Sequence, residues 1–286
     1  MSHREKMAAA FCAALLLAGL TAGGASAGGS DSSEEKPVCV PILMYHEIKT
    51  YKTGKDVILP WEFENDLKYL AENGYTAVTM EDLLAYTQDE ADLPEKPIVL
   101  TFDDGYLSTY VYAFPLLKKY HSKIVFSIIG KNTDDFSSIP DDDLDYSHVT
   151  WDQLNEMLDS GCVEVQNHSY NLHKYGKRIG CVQLPGESYA DYEKLLAGDV
   201  GKLQTEIALR TGRLPTTFAY PFGSYSQTTD QILTELGFRA TLTCDYGVNL
   251  ITRDPDCLFR LKRICRSHNH AAGGLLTEAY KTIKQR

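Results

Sequence analysis

The sequence predicts an α/β fold built on a parallel sheet. Short apolar runs rich in β-branched and aromatic residues alternate along the chain with longer amphipathic segments of helical periodicity. The short runs are apolar at successive positions, which is typical of strands buried on both faces, either in a sheet covered by helices or in a closed barrel. A chain of 286 residues is long enough to build one core of that size.

Eight strand-like runs follow one another from Pro37 onward, and a helical pattern follows each of the first six. In chain order the runs are VPILMYH, YTAVTM, PIVLTFDD, KIVFSIIG, VEVQNH, TTFAYPFG, RATLTC and LFRLKRIC. The helical patterns are WEFENDLKYLAENG, EDLLAYTQ, STYVYAFPLLKKY, WDQLNEMLDSG, SYADYEKLLAGDVGKLQTEIALRTG and QTTDQILTELG. Because a helix lies in each of these crossovers, we expect neighbouring strands to be parallel. Residues 174–189 predict a loop, and residues 273–286 a terminal helix.

Residues 1–27 have the layout of a secretory signal peptide. Arg4 and Lys6 precede an apolar stretch at residues 8–22, and an A-x-A cleavage motif occupies residues 25–27. The apolar stretch is short for a transmembrane helix, so an uncleaved anchor is the weaker alternative. We expect a secreted or cell-envelope protein with no membrane span after processing. The predicted organisation is a signal peptide at 1–27, a flexible linker at 28–36 and one domain at 37–286.

The charge balance excludes nucleic acid as a partner. The chain has 39 acidic and 28 basic residues, a net charge of -11, and no basic run interleaved with aromatic residues. Such a surface repels a phosphate backbone. The 18 tyrosines provide amphipathic faces of the kind that suit sugar rings.

The cysteines predict disulfides once the signal peptide is set aside. Cys12 lies in the signal peptide, and an even number remains in an exported chain, which favours disulfide pairing. The alternative is a set of buried free thiols, because several of them lie in apolar strand-like runs. The remaining cysteines are Cys39, Cys162, Cys181, Cys244, Cys257 and Cys265.

Two adjacent carboxylates, Asp103 and Asp104, follow the apolar run at residues 98–100. Like charges side by side are costly unless a cation or a proton compensates them, and a metal ion resolves this conflict. Successive side chains of an extended backbone diverge, so one carboxylate can ligate a metal while its neighbour faces another part of the same site. Gly105 then allows a sharp turn. For an isolated D-D-G, the alternative is a turn that caps the next helix.

Two histidines, His168 and His173, follow the strand-like run VEVQ. Residues five apart share a helical face poorly, so a ligand pair here has to be built by a loop. Imidazole and carboxylate together suit a Zn-like divalent ion, and three protein ligands leave positions open for water. The triplet Asn167-His168-Ser169 also matches a glycosylation sequon.

Two further runs end in residues suited to a site. Tyr220, Pro221 and Phe222 follow one run, where Pro and the next Gly can aim a backbone N–H into a site. His46 follows the first run, at the same kind of position. Because α/β barrels place catalysis at the carboxyl ends of their strands, we expect these residues to meet the carboxylates and the histidines.

The ordered motifs TFDDG, NHSYNLH and FAYPFG resemble those of the polysaccharide deacetylase family, carbohydrate esterase family 4, which has the NodB homology domain. The resemblance covers roughly residues 38–266. The spacing in HSYNLH is one residue longer than the commonest form, and with the early M-Y-H motif it resembles the branch that deacetylates poly-N-acetylglucosamine. Membership implies a deformed parallel (β/α) barrel of seven or eight units, one divalent metal ion and an acetylated glycan substrate.

The resemblance also implies a role for each residue that matches a motif. Asp103 is implied as the general base, and Asp104, His168 and His173 as the metal ligands. The ion is Zn²⁺ by this resemblance, with Co²⁺ and Ni²⁺ as alternatives. The backbone N–H of Phe222 is implied as an oxyanion donor, with Tyr220 and Pro221 beside it at the substrate.

This chain departs from the family pattern at two points. Many members have an Arg in the third motif that orients the catalytic Asp, whereas Ala219 stands there in this chain, so the orienting residue is unassigned. Many members also take the general acid from a late Leu-x-x-His motif, and His268 and His270 lack that context. The resemblance to the M-Y-H branch assigns the general acid to His46.

These inferences predict a metal-dependent hydrolase that removes acetyl groups from N-acetylglucosamine units of a cell-wall or extracellular polysaccharide and releases acetate. We expect a monomer whose partner is the acetylated glycan. One alternative is an O-acetyl xylan esterase, because the same metal site serves for an ester. Another is a non-catalytic glycan-binding protein, against which the complete set of Asp103, Asp104, His168 and His173 argues.

Overall fold

The computed structural model describes residues 36–284, so the predicted signal peptide and all of the predicted linker except Lys36 lie outside the described residues. The strands are β1 Val38–Val40, β2 Ile42–Tyr45, β3 Glu47–Ile48, β4 Val57–Ile58, β5 Thr76–Ala77, β6 Pro97–Phe102, β7 Ile124–Ile128, β8 Val163–Asn167, β9 Thr217–Ala219, β10 Ala240–Leu242, β11 Asn249–Ile251 and β12 Ile264–Cys265.

The helices of the same range are α1 Pro60–Glu72, α2 Met80–Thr87, α3 Phe114–Tyr120, α4 Gly130–Ser138, α5 Trp151–Asp159, α6 Tyr189–Thr211, α7 Thr229–Glu235 and α8 Ala272–Lys284. A π-helical turn at Thr109–Ala113 precedes α3, and 3₁₀ turns occur at Pro221–Gly223 and Pro255–Leu258. None of the helices between residues 36 and 284 has the length and apolar character needed to cross a membrane.

Seven strands form one curled parallel sheet in the order β10-β9-β8-β7-β6-β2-β12, and β5 pairs with the start of β6. Helices lie in the crossovers between most of these strands, as a parallel sheet requires. The predicted α/β fold with a deformed parallel barrel is therefore confirmed. Two small pairs lie beside the sheet: β1 with β11, antiparallel, and β3 with β4, parallel.

Two of the predicted strand runs are shorter in the structure. YTAVTM contributes only β5, because Thr79 already caps helix α2. The Thr79 hydroxyl accepts from the N–H of Asp82, and the Asp82 carboxylate accepts from the N–H of Thr79. LFRLKRIC contributes only β12, because Leu258 belongs to a 3₁₀ turn.

The central strand β6 separates an outer core from the barrel interior. Leu100 and Phe102 belong to the large cluster between the sheet and the surrounding helices, whereas Val99 belongs to the inner cluster. Side chains alternate between the two faces of a strand. Thr101 and Asp103 therefore share the inner side with Val99, which directs the first predicted catalytic carboxylate into the barrel.

The two edges of the sheet meet at a seam formed by residues 242–245 and 261–263. A parallel bridge joins Leu242 to Leu261. The N–H of Arg263 donates to a backbone carbonyl of the facing segment at 2.8 Å. Because β12 continues directly from the second segment, the seam links β10 to β12 and brings Arg263 into the barrel.

The cysteines correct one prediction. All six cysteines of the described range are free thiols, so the predicted disulfides are absent there and the alternative of unpaired thiols agrees with the structure. Four of them pack as small apolar side chains in different clusters, which keeps their sulfur atoms apart. Cys39 and Cys162 contact the outer core, Cys257 the inner cluster, and Cys181 a third cluster beside α6.

Candidate active site

The predicted site residues lie at the carboxyl ends of neighbouring strands. His46 follows β2, Asp103 and Asp104 follow β6, and His168 follows β8. Since parallel strands end at the same edge of a sheet, their side chains converge there. They line one cleft of about 430 Å³ together with His173, Tyr220 and Phe222.

Asp104, His168 and His173 form a cluster that could hold a metal ion. One ligand atom of each lies within 4.8 Å of the others. Asp104 Oδ1 is 3.4 Å from His168 Nε2 and 3.3 Å from His173 Nε2. Asp104 Oδ1 is buried, and within residues 36–284 it has no hydrogen-bond partner. A carboxylate and two imidazoles at these separations fit a divalent ion.

A left-handed backbone separates the two adjacent carboxylates. Asp104 has a φ of +72°, and Gly105 has a φ of +83°. A positive φ is uncommon for a residue with a side chain and is found at functional sites. It turns Asp104 toward the histidines while Asp103 stays on the inner face of the barrel.

The loop that carries the histidines is fixed at both of its ends. Asn167 is fully buried, its Oδ1 accepts from the N–H of Ser169 at 2.9 Å, and its Nδ2 donates to the Val200 carbonyl at 3.1 Å. The carboxylate of Asp199 on α6 accepts from the N–H groups of the two residues after Ser169, at 2.8 and 3.0 Å. Burial of Asn167 also removes the sequon interpretation, since glycosylation needs an exposed amide.

The surroundings shift the pKa values of His168 and His173 in opposite directions. His168 Nδ1 donates to the Ala219 carbonyl at 2.7 Å, which leaves Nε2 facing Asp104. Burial opposes the charged form of His168, yet Asp104 and Asp103 raise its pKa. Burial and the neighbouring His168 lower the pKa of His173 to about 4. Burial also opposes the Asp104 carboxylate, but the two imidazoles outweigh it and lower its pKa.

Arg263 is the residue that the sequence analysis missed. Its side chain is fully buried, and its Nη1 lies 2.9 Å from Asp103 Oδ1 and 2.8 Å from Asp103 Oδ2. Its Nε donates to the Thr243 carbonyl at 2.7 Å, which fixes the guanidinium at the seam. Burial works against the Arg263 charge, but Asp103 outweighs it and raises the pKa of Arg263. Arg263 thus supplies a guanidinium contact to Asp103 that Ala219 cannot provide.

A signal for Arg263 was present in the sequence. The last strand-like run, LFRLKRIC, carries three basic residues, Arg260, Lys262 and Arg263, among apolar ones. A cation in a buried strand requires a paired anion, because an unpaired buried charge is strongly disfavoured. The run therefore indicated a buried acidic partner without identifying it.

His46, the predicted general acid, lines the cleft, whereas His268 and His270 do not. The His46 Nδ1 is 4.0 Å from Asp56 Oδ1, and its side chain is 19% exposed. His268 is held elsewhere, with its Nδ1 2.8 Å from Glu62 Oε2. His270 is exposed and bonded within its own turn.

The third motif contributes a ring and a strained turn. Phe222 has a φ of +60°, and its ring centroid is 4.2 Å from that of His173 and 4.2 Å from that of Tyr175. Tyr220 lines the cleft, but its hydroxyl donates to Asp230 on α7. Pro221 is buried and is the one predicted site residue outside the cleft lining.

A family model described as Polysaccharide deacetylase matches residues 90–241, more than half of the chain. That range contains the TFDDG, NHSYNLH and FAYPFG motifs but neither His46 nor Arg263. YxkH of Bacillus subtilis (strain 168) is 29% identical over 249 residues, which are 86% of this chain and 79% of that protein.

Two further similarities concern named N-deacetylases. The poly-beta-1,6-N-acetyl-D-glucosamine N-deacetylase of Escherichia coli (strain K12) is 28% identical over 200 residues, 63% of this chain and 30% of that protein. This chain thus matches less than a third of the length of that relative. The solved structure of IcaB from Ammonifex degensii is 27% identical with a TM-score of 0.66, and the match covers 86% of this chain and 97% of that one.

Proposed function

Since the chain belongs to the polysaccharide deacetylase family, we propose that it is a metal-dependent N-deacetylase of an extracellular or cell-wall polysaccharide. Its substrate in this proposal is a polymer of N-acetylglucosamine, the substrate in the printed name of the Escherichia coli relative. The observation that carries the proposal is the juxtaposition of the Asp104, His168 and His173 cluster with the Asp103–Arg263 pair in one cleft.

The donor set supports a divalent ion, Zn²⁺ before Co²⁺ or Ni²⁺. Asp104, His168 and His173 would hold it, and the buried Asp104 Oδ1 without a hydrogen-bond partner among residues 36–284 is suited to a cation. When bound, such an ion acidifies a water molecule and polarises a carbonyl oxygen. The hydrogen bond from His168 Nδ1 to the Ala219 carbonyl keeps Nε2 free for that role.

Asp103 would act as the general base. Its position beside the cluster suits removal of a proton from the water that attacks the acetamide carbonyl carbon. Arg263 fixes the orientation of this buried carboxylate through contacts to both of its oxygens. Arg263 is thus a positioning residue, and it serves the purpose that the family assigns to an Arg in the third motif.

His46 would act as the general acid, and Phe222 would stabilise the oxyanion. Attack of water on the carbonyl carbon places negative charge on its oxygen, toward which the backbone N–H of Phe222 is proposed to donate. The C–N bond then breaks, His46 supplies a proton to the departing sugar amine, and acetate and a glucosamine unit are the products. Tyr220 would line the substrate side of the same turn, and the buried Pro221 would support that turn from behind.

The proposal is tested by acetate release from poly-N-acetylglucosamine, with and without a chelator. We expect release that the chelator abolishes and that added Zn²⁺ restores. Asp103→Asn should retain metal and lose at least about 100-fold in kcat, since a positioned base contributes about 10²–10⁴. His168→Ala should lose metal. Wild-type turnover in either variant would contradict the assignment.

The same assay separates the alternatives. Acetate release from acetylxylan but not from N-acetylglucosamine oligomers would replace the proposal by an O-acetyl esterase. Glycan binding by a metal-free protein without any acetate release would replace it by a binding protein. The signal peptide at residues 1–27, the exported location, the domain at 37–286 and the monomeric state stay predictions beside this proposal.

A further inference from the structure

The cleft continues beyond the metal-ligand cluster. A second cavity of about 160 Å³ adjoins the first, and the two share Asp104, Tyr106 and His173 in their linings. Asp103 and His46 line the first cavity only. The proposed base and acid are therefore on one side of the Asp104–His173 pair, and the second cavity lies on its other side.

The second cavity has a polar lining that contains both hydrogen-bond donors and acceptors. Apart from the shared Asp104, its lining contains no carboxylate among residues 36–284. Two amides, an imidazole and an ammonium group are present instead, beside one aliphatic side chain. We call this cavity the flanking subsite, and its own lining residues are Ile129, Asn132, His148, Asn171 and Lys174.

The wall of the flanking subsite is preformed. Asn132 on α4 donates from Nδ2 to His148 Nε2 at 2.9 Å, and His148 is 9% exposed. An amide nitrogen can only donate, so Nε2 accepts and the imidazole is neutral. Burial lowers the pKa of His148, which agrees with this neutral form. The rings of Tyr106 and Phe136 stack on His148, with centroids at 4.8 and 5.5 Å.

We propose that the flanking subsite binds the acetylated sugar unit next to the one whose acetyl group is removed. Sugar hydroxyls and an acetamide carbonyl accept hydrogen bonds, and Asn132, Asn171 and Lys174 supply donors. This inference rests on the proposed function, since it names how a polymeric substrate extends through the same cleft.

The charge of the subsite gives it a preference. Lys174 repels the ammonium group of a unit that has already lost its acetyl group, and no carboxylate other than the shared Asp104 lines the cavity to offset this repulsion. An acetylated neighbour carries no charge and avoids that repulsion. The enzyme should therefore act faster beside an acetylated unit than beside a glucosamine unit.

The experiment compares two substrates of the zinc-loaded protein: a β-1,6-linked N-acetylglucosamine pentamer, which can reach the flanking subsite, and a small aryl acetate, which cannot. The measured quantity is the ratio of kcat/KM for the pentamer to kcat/KM for the aryl acetate. This ratio is independent of the folded fraction of each variant. Asn132→Ala should lower it about tenfold, as expected for the loss of one or two hydrogen bonds.

A matched control lies in the same loop as Lys174. Lys177 is exposed and does not line either cavity, so Lys177→Ala should keep the wild-type ratio. Lys174→Ala should reduce the preference for the fully acetylated pentamer over one with a glucosamine beside the reacting unit. A wild-type ratio in Asn132→Ala together with a wild-type preference in Lys174→Ala would overturn the subsite while leaving the proposed function intact.

Failure of the proposed function gives a different pattern. Wild-type protein would then hydrolyse the aryl acetate and release nothing from the pentamer at any length or metal loading. That result overturns the proposed substrate and the flanking subsite together. Pentamer turnover that responds to Asn132→Ala supports both.

Discussion

Asp103 and Arg263 form an ion pair whose side chains are 2% and 0% exposed. In such surroundings each charge depends on the other, because neither has water to stabilise it. The guanidinium reaches both carboxylate oxygens and is itself held by the Thr243 carbonyl, so the orientation of Asp103 is set by a chain of three groups. These contacts hold the proposed base in a single orientation for the reaction.

Replacing Arg263 by Lys should separate the effect of its positive charge from the effect of its contacts that orient Asp103. Lysine keeps the positive charge but cannot contact Thr243 and both oxygens of Asp103 at once. We expect kcat to fall about 10–100-fold, as for a misplaced catalytic group, with KM and bound metal unchanged. Steady-state kinetics and metal analysis of the purified variant check this.

Arg239→Lys is the matched control, because Arg239 is exposed and does not line the cleft. It should keep wild-type kcat. Arg263→Ala should in addition destabilise the fold by about 3–5 kcal/mol, since it leaves the Asp103 charge buried without a partner. A wild-type kcat in Arg263→Lys would show that turnover does not need a guanidinium in contact with both oxygens of Asp103.

The sequence could identify one member of this pair but not the other. Asp103 stands in a motif with its strand and turn, so local pattern was sufficient to single it out. Arg263 lies 160 residues away, and its role arises only when the sheet curls and the seam forms. The same limit applies to His148, whose burial depends on rings contributed by Tyr106 and Phe136.

Helix α6 holds the loop between His168 and His173 in place. Asp199 receives two backbone N–H groups from that loop, and the ring of Tyr170 packs beneath Lys202 of the same helix, 3.5 Å from its Nζ. Loops are mobile unless their backbone groups are bonded. The helix therefore sets the separation of two side chains that it does not itself contribute.

Asp199→Ala should weaken metal binding without removing a ligand. Loss of both contacts to the loop frees His173 relative to His168, and outer contacts of this kind are worth about 10–100-fold in metal affinity. Competition with a chromophoric chelator measures the dissociation constant of Zn²⁺. Glu193→Ala, six positions earlier on α6, is the control and should bind Zn²⁺ as wild type does.

An unchanged Zn²⁺ affinity in Asp199→Ala would mean that the loop holds its shape without the helix.

The order and type of the helices and strands were largely predictable from the sequence, because apolar runs and amphipathic segments are local patterns. Shape within the loop was not: Ser169 has a φ of +71°, which is set by the Asn167 amide and not by any preference of serine. Thiol packing was also beyond local pattern, since Cys181 and Cys257 enter different clusters only after folding.

The barrel also carries a buried acid at the end opposite the site. Glu164 lies near the start of β8, and its Oε2 accepts from the N–H of Glu81 at 3.0 Å. Its other oxygen accepts from the amide of Gln166. Lys123 and Arg213 line a cavity at the same end but make no ion pair with it among residues 36–284. Burial raises the pKa of Glu164 to about 7.

This raised pKa predicts how stability depends on pH. The folded protein binds the Glu164 proton more tightly than the unfolded chain does, whose ordinary value is 4.5. The contribution of Glu164 to stability is therefore fully present below pH 4.5 and decreases as pH rises toward 7. The total loss is on the order of 3 kcal/mol.

Glu164→Gln should flatten that dependence, because glutamine does not titrate. The decrease in Tm from pH 5 to pH 8 should be smaller than in wild type by roughly 5–10 °C. Circular dichroism melts in the presence of a chelator exclude metal binding as the cause. Glu95→Gln is the control, since Glu95 is exposed, and it should keep the wild-type dependence. Equal pH dependence in Glu164→Gln would place the titration on another group.

The seam between residues 242–245 and 261–263 also determines when in the life of the chain the catalytic centre is completed. Synthesis proceeds from the amino end, and segments begin to fold as they emerge. The three proposed metal ligands and Asp103 are made long before Arg263. A chain cut or terminated before the seam thus contains every proposed ligand and the base, but it lacks the cation that holds the base in place. We therefore expect full deacetylase activity only from a chain that extends past residue 263.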